Sequence, residues 1–298
     1  MRGGAKKGWR WRVADSDANR NLNLLYEPGN WGDILKGAWA VRIVQALARA
    51  RRAGSHTPAP IRYLDPFAGA PAYPLVAASA DKLQRVPLEG LRRLLEPHAR
   101  RGLMASTGIL VRDAAREAEA EVRLLVFDSD PARAEAWRGT ECTTLLEAAS
   151  GEAALEAAFP PRRARGGLEP GRDGDAVDFV LVDPYDFFVR WTLFLPAILR
   201  ASESAAVLSY LYNRSPRGPG QQRMYKEFRE GLRSGLRGRG RAFIGRIPAD
   251  PGLARAHHEV ILLGPEEVVA ELEAGLAADS RALARAMADL GAFETVGA

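Results

Sequence analysis

Cysteine occurs once in the 298 residues, at Cys142. One thiol excludes a disulfide framework and a thiolate metal cluster, and it fits a reducing, cytoplasmic setting. No run reaches the roughly 18 consecutive apolar residues of a transmembrane helix, so no membrane partner is expected. The basic start of the chain carries no apolar core of the signal-peptide kind. The adjacent pair His257-His258 would point to opposite faces of a strand, so no metal site is expected either. Phosphate fingerprints are also missing. Neither G-x-G-x-x-G nor G-x-x-x-x-G-K-[ST] occurs, and the chain where the first would fall has Gly69 alone, with Pro71 and Pro74 removing backbone donors. That disfavours NAD and FAD.

Apolar residues make up 47% of the chain, enough for a packed core, and the net charge is +5. The charge suits a polyanionic partner such as RNA, and equally suits solvated arginine faces. Residues 1–20 form a basic arm with two tryptophans, and residues 21–298 read as one domain. Residues 32–54 have helical spacing, with Trp39, Ile43 and Leu47 on one face and Gly54 as the stop. IRYLD (61–65), EVRLLVFD (121–128), VDFVLVDP (177–184) and AAVLSYLYN (205–213) read as strands, separated by helices. WTLFLPAILRA reads as a helix interrupted by Pro196. Two strands close together, RAFIGRIP and HEVILLGP, precede a last helix from about 265 to 289. This alternation predicts an α/β fold with a mostly parallel sheet, helices on both faces, an antiparallel edge, and a helical insertion over about 77–120.

Three predicted strands end in acidic residues, Asp65, Asp128 and Asp183. Ligands of parallel sheets bind at the carboxyl ends of the strands, so the three would line one site. Asp128 is placed to take both hydroxyls of a ribose. A loop poor in glycine and in free N–H groups suits a nucleoside cofactor without phosphate, of which S-adenosylmethionine (SAM) is the obvious one. VDPYDFF (182–188) is a turn that could present a carboxylate and carbonyls to an exocyclic amine, with a ring stacked on the base. It could equally be a β-turn with its aromatics in the core.

YEPGNWGDILKG followed by IRYLDPFAGAPAYPL resembles the start of the RlmJ-type methyltransferases. These use SAM to methylate N6 of an adenine in large-subunit ribosomal RNA. The resemblance runs over about residues 22–265 and includes MASTGILVR, VFDSDP, SGEAALEAAF, VLVDPY and the HEVILLGP strand. It implies a Rossmann-like SAM-dependent methyltransferase fold with a seven-stranded sheet. It implies a cofactor site made of Asn30, Lys36, Gly37, Asp65, Phe67 and Ala68-Gly69-Ala70. Thr107, Asp128, Ser150, Gly151 and Asp183 complete that site. Asp183, Pro184 and Tyr185 would be catalytic. Tyr26, Tyr185, Phe187 and Arg214 would meet the substrate.

The chain departs from that family in several places. Gly37 and Phe67 each stand where it has histidine, and Ser150 stands for an aspartate. The family's Asp-Pro-Pro-Tyr is here Asp183-Pro184-Tyr185-Asp186. Three outcomes follow for that turn: a different substrate, a ring supplied by Tyr185 or Phe187 through a shifted turn, or lost catalysis. The expected function is therefore a SAM-dependent methyltransferase, acting as a monomer on adenine N6 in ribosomal RNA. A non-catalytic RNA-binding relative and a methyltransferase for a small molecule or protein are the alternatives. In either RNA reading, Arg237, Arg239 and Arg241 are candidate phosphate contacts.

Overall fold

The structure is a computed structural model, and it describes residues 29–54, 59–161, 176–184, 187–213, 219–248, 257–286 and 294–295. Tyr26, Tyr185, Arg214 and the basic arm lie outside the described residues.

The chain begins with α1 (Trp31–Gly54) and β1 (Ile61–Asp65). β2 (Ala72–Pro74), α2 (Ala77–Gln84), α3 (Glu89–Ala99) and β3 (Leu103–Ala105) follow. The crossover helix α4 (Thr107–Glu117) leads into β4 (Val122–Val126), α5 (Pro131–Arg138), β5 (Thr143–Leu145) and α6 (Gly151–Ala158). Then come β6 (Phe179–Val182), α7 (Phe187–Ala201), β7 (Ala206–Asn213) and α8 (Pro219–Leu236). β8 (Arg241–Pro248), β9 (His257–Gly264), α9 (Glu266–Ala286) and β10 (Glu294–Thr295) complete the order.

The main sheet has the order β10-β8-β9-β7-β6-β1-β4-β5. β5, β4, β1, β6 and β7 are mutually parallel, and β9 runs antiparallel to both its neighbours. After β1 the chain winds outward through β4 and β5, then returns to β6 on the other side of β1. The order reverses between β1 and β6, and in sheets of this kind the ligand crevice lies at such a reversal, at the carboxyl ends of the strands.

β6 is apolar and buried along its whole length because both of its faces are covered. Tyr63, Phe179, Leu181 and Leu208 belong to a core under α1, α4 and α9. Leu64, Val180, Val182 and Val207 belong to a second core under α6, α7 and α8. α1 is largely enclosed; Leu35, Trp39, Ile43 and Val44 are fully buried.

Several expectations are corrected. α7 begins at Phe187 and runs through Pro196 without interruption. A proline inside a helix costs about 3 kcal/mol. Burial of Phe194, Leu195 and Ile198 beside it outweighs that, at about 1.5–3 kcal/mol for each large side chain. β2 and β3 form a separate two-stranded sheet that no periodicity announced. Within 77–120, α2 and α3 lie between these two strands, whereas α4 packs on α1 and feeds β4. Among the described residues no helix is long and apolar enough to cross a membrane.

The basic turn also lies apart from the crevice. Arg241 opens β8 opposite Gly264, the last residue of β9, so Arg237, Arg239 and Arg241 sit at the amino-terminal edge of the parallel strands. Arg241 is ion-paired with Glu273, and Arg239 lies 3.7 Å from Glu203. These residues do not join the strand-end aspartates.

Candidate functional site

Strand register brings the three aspartates together. Asp65 is level with Val126 of β4, so Asp128 stands two residues beyond it on one side. Leu64 is level with Val180 of β6, so Asp183 stands two residues beyond Asp65 on the other side. Asp65 is thus the buried floor of the crevice, with Asp128 and Asp183 on its walls.

The first loop, Pro66 to Pro71, uses all of its backbone donors internally. Phe67 N–H donates to Asp65 Oδ1 at 3.1 Å, and Ala68 N–H to the Phe127 carbonyl at 3.0 Å. Gly69 N–H donates to Asp128 Oδ2 at 2.8 Å, and Ala70 N–H to the Tyr73 hydroxyl at 2.9 Å. Pro71 has no N–H. Trp137, fully buried, holds the loop from below by donating its indole N–H to the Gly69 carbonyl at 2.9 Å. A phosphate needs a cradle of outward N–H groups. This loop offers acceptors instead, and those suit the hydroxyl and ammonium groups of a nucleoside-bearing amino acid such as SAM.

Asp128 keeps about a tenth of its side-chain surface and also accepts from Asp130 N–H at 2.8 Å. Ser150 caps α6 by accepting from Ala153 N–H, and Gly151 lies against the Pro66 carbonyl and the Phe67 ring. Both therefore border the first loop. Phe67 turns its ring edge toward Phe194, 6.2 Å away between centroids. Thr107 is the buried first residue of α4. Ala68 and Ala70 are buried.

The opposite wall is built by the start of α1. Asn30 accepts from Asp33 N–H, and Asp33 reaches back to Gly29 N–H at 3.0 Å, a reciprocal cap that fixes the first turn. One turn on, the Lys36 ammonium bonds Asp33 Oδ1 at 3.2 Å and pairs directly with Asp183 Oδ2. It also lies 5.1 Å from the centroid of the Tyr210 ring. Burial works to discharge Lys36, but Asp183 and Asp33 outweigh it and hold its pKa above the ordinary lysine value. Burial raises the Asp183 pKa, with Lys36 opposing. Burial also lifts Asp65 to about 7, against the hydrogen bonds from Phe67 N–H and the Tyr63 hydroxyl. Gly37 packs against Leu110 in the core beside α4.

Sequence reasoning gave no role to Asp33, Tyr73, Trp137, Tyr210 or His258. The Asn30-x-x-Asp33 spacing was a readable signal for the cap. None existed for Tyr210, whose hydroxyl meets His258 Nδ1 at 2.7 Å across two strands. A Cβ on Gly32 would sit 2.0 Å from that hydroxyl, so only glycine admits this pair beneath α1. Burial drives His258 down to about 3, so it is a neutral imidazole that accepts from the Tyr210 hydroxyl. Among the described residues no group of histidine, cysteine and carboxylate side chains could hold a metal.

Pro184 is buried beside the crevice. Phe187, expected to meet substrate, is 4% exposed and packs edge-on to Phe194 and Phe228 in the core under α8. Its ring lies on the face of the sheet away from Lys36 and Asp183, which share the α1 side.

The sheet order is Rossmann-like, mostly parallel with its reversal between β1 and β6 and an antiparallel edge. A protein of Legionella pneumophila assigned to the DUF519 family shares this fold. It superposes with a TM-score of 0.61 at 14% identity, over 90% of this chain and 96% of its own. A Listeria monocytogenes protein described as a candidate class I SAM-dependent methyltransferase matches at 13% identity and a TM-score of 0.35. That match covers 76% of this chain and 59% of the Listeria one. A DUF574 protein of Streptomyces avermitilis matches at 16% identity and a TM-score of 0.38, over 78% and 83% of the two chains. These last two superpose too loosely to bear on the site. No protein-family model matches the chain, and no curated protein matches it.

Proposed function

We propose that this chain is a SAM-dependent methyltransferase acting on a base of RNA, with adenine N6 in ribosomal RNA as the first candidate. The observation that carries the reading is the Asp183 carboxylate, held at the strand-reversal crevice by buried Lys36, beside a loop with no donor left for phosphate. Asp128 would take the ribose hydroxyls, Ser150 and Gly151 would border the adenine, and Lys36 and Asp33 would meet the amino-acid end. SAM, when bound, supplies the electrophilic methyl carbon.

Asp183 and the Pro184 carbonyl would accept hydrogen bonds from the acceptor amine, aiming its lone pair. An amine on adenine is a poor nucleophile, so orientation and exclusion of water contribute more than a strong base. Asp183 would receive the amine proton late, or pass it to water. Lys36 would keep that carboxylate ionised and fixed until the amine arrives. The altered Asp183-Pro184-Tyr185 turn bears on where the base lies rather than on whether the cofactor binds. The proposed partner is RNA, met by a monomer.

Titration calorimetry with SAM and with S-adenosylhomocysteine tests the cofactor, and methyl transfer from labelled SAM to unmodified ribosomal RNA tests the acceptor. The expected outcome is one-to-one binding and transfer. In Asp183→Asn, binding should be nearly retained and turnover lost. Full turnover in that variant would end the assignment of Asp183. Binding without transfer to any RNA would favour the non-catalytic relative.

A further inference from the structure

Beside Asp183, the α1 face of the sheet carries three rings from two strands. Val182 pairs with Ser209, so Asp183 is level with Tyr210 on the adjoining strand β7. Tyr212 is the next side chain on the same face, about 7 Å nearer the open edge. Ser209 and Leu211 alternate to the other face. His258 stands directly opposite Tyr212 on β9. Its ring lies 5.2 Å from that of Tyr212 at 31°, and 6.0 Å from that of Tyr210 at 23°.

This cluster is tied together by ring contacts and a hydrogen bond. The Tyr210 hydroxyl fixes the imidazole at 2.7 Å, and the backbone of Gly32 closes over both. Tyr212 is its outer member, half-buried at the end of β7, whereas His258 is buried. One strand spacing across and one side-chain repeat along separate the Tyr212 position from Asp183, about 8 Å in all. A purine lying against the ring could reach the carboxylate with its exocyclic amine. Phe187 cannot supply that ring, because it belongs to the core on the other face.

We propose that Tyr212 is the platform on which the acceptor base stacks, and that the acceptor is an unpaired adenine of single-stranded RNA. The inference rests on the reading of Asp183 as the residue that receives the acceptor amine. A flat aromatic surface beside a carboxylate suits a nucleobase better than an aliphatic amine or a lysine side chain. The ring cluster behind Tyr212 holds the platform still, so little side-chain entropy is lost when the base arrives.

The test uses the full chain and a short unpaired RNA with 2-aminopurine in place of one adenine, titrated in the presence of S-adenosylhomocysteine. Stacking on Tyr212 quenches the probe. Tyr212→Phe, which keeps the ring, should bind and quench as the parent does. Tyr212→Leu should bind about 5- to 150-fold more weakly, the range that corresponds to roughly 1–3 kcal/mol of stacking per base. Tyr212→Gln repeats the test if the leucine variant melts early. Equal binding by the ring-less variants, or no quenching with the parent protein, overturns the proposal. Cofactor calorimetry on the same samples separates the two readings: quenching without SAM binding would sink the methyltransferase assignment and leave the platform standing.

Discussion

Two buried titratable groups pull the stability of this protein in opposite directions as pH changes. Asp65 is raised from 3.8 to about 7, so the folded state holds its proton more tightly than the unfolded chain. Its contribution is greatest below about pH 4 and is lost as pH rises through 7. His258 is lowered from 6.5 to about 3, so the unfolded chain binds the proton more tightly. Its contribution is full above about pH 6.5 and is lost as pH falls toward 3. Between pH 4 and 6.5 the two slopes oppose each other, each up to about 1.4 kcal/mol per pH unit. Asp65→Asn should unmask the histidine slope: relative to the parent, its melting temperature should climb from pH 5 to pH 7 and level off above. Thermal melts at those pH values check this, and parallel curves for the two proteins would contradict it.

At the scale of elements, the first loop and the start of α6 depend on a close approach. A Cβ added to Gly151 would lie 2.3 Å from the Pro66 carbonyl and 2.4 Å from the Phe67 ring. The carbonyl belongs to the backbone and cannot swing aside. Gly151→Ala should therefore cost about 1–3 kcal/mol, the usual range for overpacking, and shift the loop that carries Ala68-Gly69-Ala70. Denaturant melts report the first effect and SAM calorimetry the second, with affinity expected to fall while Gly139→Ala, which meets nothing within 4 Å, leaves it unchanged. α8 is tied down differently. Glu259, fully buried on β9, bonds Arg246 of β8 at 3.0 Å and the Tyr225 hydroxyl of α8 at 2.7 Å, with Arg229 of α8 at 3.6 Å.

At the scale of the molecule, charge is distributed by the topology rather than by the sequence clusters. The net charge of +5 suits RNA, but the basic stretch around Arg237 and Arg239 sits at the edge opposite Asp183. If RNA enters at the crevice, its affinity should fall steeply with added salt, while that of SAM changes little. Replacing both Arg237 and Arg239 by glutamine should leave RNA affinity and its salt slope as they were. Fluorescence anisotropy across a salt series measures both. A smaller slope in the double variant would place RNA on the far edge and move the interface away from the site.

Local pattern and composition determined a good part of this protein. The segments at 61–65 and 177–184 read as strands, the second as a buried one because a sheet covered on both faces has no polar side to betray. Their terminal aspartates, and the lack of a glycine fingerprint, pointed to the edge of the sheet and to a cofactor without phosphate. Tertiary structure alone decided the rest. Lys36 and Asp183 are 147 residues apart. Neither residue's neighbours encode that they meet. The Tyr210–His258 bond, the closing of the Gly69 donor by Asp128, and the burial of Phe187 have the same character. Each joins side chains whose distance in space is set by strand order, and strand order is a property of the whole packed sheet. Short periodicities record which face of an element is buried, not which other element will cover it.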